Sequence, residues 1–240
     1  MKKIKTYLIS FLFVFMFYGN SFAGTGAASE YKIIIYKIEL CDSSSTASAC
    51  NGAVTLYDGN SGSIDIANTT AGAAAASLGN VSSAKFGTSY TYMQITMGRA
   101  FTVKGSAADS SSTTCYTNDG ESGSASTLSK GSASSSDLDS TTLYAAMVGT
   151  SVGDNLTGLS SLTDTSGVAG TIESADEYFM YRQELASTFK MEPGDIPTVE
   201  VAFGTSAAVG AIGDMGAACN TVSASLGMYA AEPDVTVTIK

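Results

Sequence analysis

Four cysteines, Cys41, Cys50, Cys115 and Cys219, have the most definite chemistry open to them in this chain. Cysteines pair as disulfides in oxidising compartments and serve as metal ligands or nucleophiles in reducing ones. The spacing does not resemble paired CxxC zinc knuckles, and with no His among 240 residues there is no imidazole to share a metal. An even count favours two disulfides. Of the three connectivities, the favoured one joins Cys41 to Cys50 around a short polar loop, and Cys115 to Cys219, tying a central segment to the C-terminal region.

The absence of His also removes Ser-His-Asp and Cys-His catalysis and any imidazole proton switch. A nucleophilic Ser would need Lys or a carboxylate as its base. The arrangement Ser126 to Lys130 offers one only inside a Ser-rich stretch, where nothing would desolvate the Lys. Carboxylates recur at Asp137/Asp139, Glu173/Asp176/Glu177 and Asp119/Glu121. A glycosidase needs two carboxylates flanking a cleft at a set separation. Trp, a common sugar platform, is missing. Asp58-Gly59-Asn60 and Asn118 to Glu121 carry oxygen ligands for calcium but lack the spacing of a twelve-residue EF-hand loop, so a metal site is left open. We expect no enzyme, no catalytic residue and no cofactor.

Ser, Ala and Gly together make up 92 of the 240 residues, and charged residues only 14 %. Lys2, Lys3 and Lys5 precede an apolar stretch from Tyr7 to Tyr18 and a small-x-small signature at Ser21-Phe22-Ala23. This pattern predicts a signal peptide over residues 1–23, cut after Ala23. The apolar run is shorter than the roughly 20 residues that span a bilayer, so no membrane span is expected after cleavage. Removing three Lys leaves nine basic against 22 acidic residues, a formal net charge of −13. Scattered bases on an acidic chain argue against nucleic acid as a partner. The expected location is secreted or cell-surface, with the periplasm as a variant.

The elements that must position these residues have period two. Tyr31 to Leu40 predicts a strand with Ile34, Tyr36, Ile38 and Leu40 on one face. Val54 to Tyr57 and Ser63 to Ala67, joined by Asp58 to Gly62, predict a hairpin. Tyr90 to Met97 alternates with Met93, Ile95 and Met97 on one face, and Gly98 predicts a bulge. Thr198 to Phe203 and Asp234 to Lys240 give two further strands. Ser174 to Leu185 reads as strand, with helix as the alternative, and Ala71 to Leu78 as a short helix or coiled turn. Residues 106–136 are poor in large apolar side chains and predict a low-complexity surface loop. The expected architecture is all-β: a single antiparallel β-sandwich over residues 24–240 with long Ser/Gly/Ala-rich loops.

The run from Phe189 to Val209, with Ser63 to Ala67 and Thr88 to Ile95, resembles a group of uncharacterised bacterial secreted domains. Their pattern places a Gly-x-Tyr-Thr strand mid-chain and a Phe-x-Val-x-x-Gly turn late. Here Phe86 to Thr91 carries one extra residue between Gly and Tyr, and the turn from Phe189 to Gly194 has Met191 in place of Val. The resemblance implies an immunoglobulin- or transthyretin-like sandwich at the cell surface and supplies no catalytic residue.

Two roles from different classes follow. The first is a structural or adhesive surface protein, a filament subunit assembling by strand addition, with itself or other surface proteins as partner. Its plugs would be Ile33, Ile35, Val235, Val237 and Ile239. The alternative is a secreted or periplasmic module that binds a carbohydrate or other small polar ligand through Tyr90, Tyr92, Tyr178 and Tyr181.

Overall fold

The computed structural model describes residues 24–68, 81–119, 123–124, 127–145, 153–195, 199–223 and 225–239. The expected signal peptide and the Ala71 to Leu78 turn lie outside them. The fold is all-β, as the alternation predicts, and its sheets pair antiparallel throughout.

The spine is β2 (Ala28–Asp42), rich in the β-branched and aromatic side chains that suit a pleated surface. Along one edge it pairs with β5 (Ser89–Gly98) and β6 (Ala100–Ala108): Asp42 faces Tyr90, Ile35 faces Met97, and Ala28 faces Gly105. β5 and β6 are thus one long run interrupted at Arg99. Along the other edge, β3 (Val54–Asp58) faces Lys37 to Leu40 and β4 (Ser63–Asp65) faces Lys32 to Ile34. The expected hairpin is therefore corrected. Both strands pair with β2, and Asp58 to Gly62 is a kink in a discontinuous edge strand, held by Gly59 N and Ser61 N donating to the Tyr36 and Ile35 carbonyls.

The kink matches a register shift in β2 between Ile35 and Lys37. A bulge adds one residue and reverses which face later side chains occupy. Hence Tyr31, Ile33 and Ile35 are buried before it, and Ile38 and Leu40 after it. The single-phase alternation expected for Ile34 and Tyr36 fails for this reason; both are only half-buried.

Outward from β5 lie β10 (Tyr178–Lys190) and β9 (Leu156–Leu159), which settles Ser174 to Leu185 as mainly strand. Outward from β6 lie β8 (Thr141–Tyr144) and β7 (Thr114–Tyr116). At the break, Arg99 is 1 % exposed. Its Nη1 donates to the carbonyls of Glu173 at 2.9 Å and Asp176 at 2.7 Å, and its side chain lies 5.7 Å from the Tyr144 ring centroid.

Two smaller sheets complete the fold: β1 (Gly24–Gly26) with β12 (Val209–Ile212) and β13 (Gly227–Ala230), and the pair β11 (Val199–Gly204) with β14 (Asp234–Ile239). β1 lies so close to β6 that a Cβ on Gly26 would sit 2.0 Å from the Ser106 carbonyl oxygen; only glycine permits the approach. Buried apolar residues from Ala28 to Val237 form one cluster.

Both favoured disulfides are present, Cys41–Cys50 and Cys115–Cys219. They fit an oxidising environment. Among the described residues no helix is long and apolar enough to cross a membrane.

The surface-loop reading of residues 106–136 is corrected where they are described. β7 pairs with the end of β6, and Cys115 is fully buried. Ser129 exchanges backbone hydrogen bonds with Met228, as Ser132 does with Tyr116, and Leu128 is buried. A chain poor in large side chains can still be ordered when its backbone bonds to existing strands and one Leu anchors it.

Candidate functional site: an apolar cavity

The curled large sheet and the two smaller sheets together line one half-open pocket. Tyr31, Ile33 and Ile35 come from β2, Ile95 and Met97 from β5, Phe101 from β6, and Phe179 and Tyr181 from β10. Opposite them stand Phe203 of β11, Tyr229 and Ala230 of β13, the link Ala231 to Pro233, and Val235 of β14. Between the two lies a cavity of about 360 Å³. Its rings are in mutual contact: Tyr31 and Phe101 centroids are 5.3 Å apart, and Phe101 and Phe179 6.1 Å apart.

Few polar groups reach it. Tyr31 Oη donates to the Ala231 carbonyl at 2.8 Å, which ties the β13–β14 link over the cavity. Tyr181 Oη donates to Gln183 Oε1 at 2.7 Å. Burial, reinforced by the nearby Glu232 carboxylate, pushes the pKa of both phenols far above its usual value, and burial raises that of Tyr229 as well. All three therefore keep their protons at any physiological pH. Glu232 is exposed at the rim and is the only charged residue among the described residues that line the cavity.

The four tyrosines expected to bind a polar ligand are not brought together. Tyr90 is fully buried, its hydroxyl accepting from Lys85 N at 2.9 Å, so it is corrected to a core residue. Tyr92 is half-buried on β5. Tyr178 packs edge-on against Tyr36, centroids 5.1 Å apart. Tyr181 alone lines the cavity. Of the five expected plugs, Ile33, Ile35 and Val235 line this same cavity, Val237 is fully buried, and Ile239 packs against the core.

The carboxylates serve local structure. Asp176 is buried and accepts from Glu173 N at 2.7 Å, shaping the loop whose carbonyls hold Arg99. Asp137 accepts from Ser132 Oγ, and Asp139 pairs with Lys104. Asn60 caps Gly62 N. Among the described residues there is no group of three potential metal ligands from Cys, Asp and Glu.

Sequence reasoning missed Phe203, Tyr229 and Glu232. An acid followed by Pro233 between two strand patterns reads as a turn, and only the layer packing sets it at the rim of a cavity. No family model, curated protein or solved structure matches the chain.

Proposed function

We propose that this chain is a non-enzymatic exported binding protein that holds a small apolar molecule inside its curled sheet. The observation that carries the reading is the cavity itself. Native interiors are close-packed, with few voids larger than a water molecule. A half-open apolar recess of about 360 Å³ departs from that packing and leaves aliphatic and aromatic carbon in contact with water, a cost that a bound apolar molecule would relieve. The volume lies near the lower end of small-molecule sites, roughly 300–1,000 Å³.

The reading replaces the polar ligand expected from the tyrosines with an apolar one, because aliphatic and aromatic carbons make the walls. It also differs from the surface or filament role expected from composition. Secretion and the resemblance to secreted sandwich domains belong to the same proposal, with the disulfides as their support.

Titration of the mature protein with n-decanol, followed by calorimetry, should give saturable one-to-one binding. Ile33→Phe adds bulk to the cavity wall and should weaken it at least about tenfold, the worth of 1.4 kcal/mol, with the melting transition retained. A folded protein that shows no saturable uptake of decanol would overturn the reading.

A further inference from the structure

The cavity has one charged corner, and its sign restricts what can bind. Resting on the binding reading above, we infer that the ligand is a lipophilic amine: an apolar body within the sheet and a cationic head at Glu232. Three observations converge. Glu232 supplies a carboxylate at the rim, and no Lys or Arg stands among the described lining residues to receive an anionic head. Tyr181 and Tyr229 both line the cavity with aromatic rings, and ring faces attract cations. Asp234, two residues beyond Glu232, adds a second negative charge whose field reaches Tyr181. A fatty acid of equal length would bring its carboxylate against Glu232, and two like charges side by side repel.

The chain is acidic overall, with a formal net charge of −10, so general attraction of cations is the competing explanation. The test therefore compares n-decylamine, n-decanol and decanoate by calorimetry at neutral pH, in the natural protein and in two variants. Glu232→Gln removes the rim charge. Asp214→Asn removes an equal charge from an exposed turn that does not line the cavity.

In the natural protein the amine should bind about two- to fivefold tighter than the alcohol, the worth of an ion pair at an exposed carboxylate. Decanoate should bind weakest. Glu232→Gln should reduce the amine-to-alcohol ratio nearly to one, and Asp214→Asn should leave it unchanged. Equal losses in both variants would overturn the inference in favour of general charge attraction. Decanoate binding as well as decylamine would overturn it too. In either case, saturable decanol binding would leave the cavity reading intact. Failure of all three probes to bind would remove both.

Discussion

Asp109 shows how much one side chain can hold together. Its Oδ1 accepts from Ser111 N, Ser111 Oγ and Thr113 N, and its Oδ2 from Met215 N at 3.0 Å. It so fastens the end of β6 to a segment 106 residues away. Burial alone would raise its pKa, but these donors outweigh it and hold the carboxyl below its usual range. A group whose pKa is depressed on folding contributes stability above its unfolded value, about 3.9 for Asp, and loses that contribution as pH falls through the folded value. Asp109→Asn, which cannot accept from all four donors, should lower stability by about 2 kcal/mol at neutral pH. Thermal melts from about pH 6 down to about pH 2 should show the gap between variant and natural protein closing as the carboxylate protonates. A gap independent of pH would mean that packing, not the charge, sets the cost.

At the scale of elements, the Ser-rich segment is the clearest test, since its composition argues for a free loop and its contacts argue otherwise. Leu128 is 6 % exposed. Gly131 N donates to the Cys219 carbonyl at 2.8 Å, next to the long-range disulfide. Leu128→Ala should cost about 3 kcal/mol, as for other buried leucines. Deleting residues 120–136 should remove cooperative unfolding in chemical denaturation. A deletion variant that still unfolds in one sharp transition would restore the loop reading. β13 is the element most affected, because Met228 loses both of its bonds to Ser129.

Across the whole molecule, the end strands decide between a self-contained particle and a polymer. β2 is bonded on both edges by its own chain, and β14 pairs with β11. The side chains expected to plug a neighbour pack against the protein's own core, so strand donation would require pulling β2 out of the spine or β14 away from β11. The chain from residue 24 onward should be monomeric by light scattering at high concentration, with and without calcium. Removal of residues 24–40 should abolish folding, because it deletes the strand against which β3, β4, β5 and β6 pair. Filaments formed by the intact protein, or rescue of the truncated one by a peptide of that sequence, would favour strand addition instead.

Local information in the chain is enough for the all-β class, for the cysteine pairing and for about half of the described strands, β2, β5 and β10 among them. Strand alternation depends on side chains two residues apart, as in Met93, Ile95 and Met97, and a nine-residue separation makes Cys41 and Cys50 natural partners. The bulge near Tyr36, the pairing of both β3 and β4 with β2, and the ordering of Leu128 depend on partners remote in sequence. The cavity is the extreme case. It requires Ile33, Phe179, Tyr229 and Glu232 to meet across two layers, and a cavity is set by how well those layers fill the space between them, which no local pattern of residues encodes.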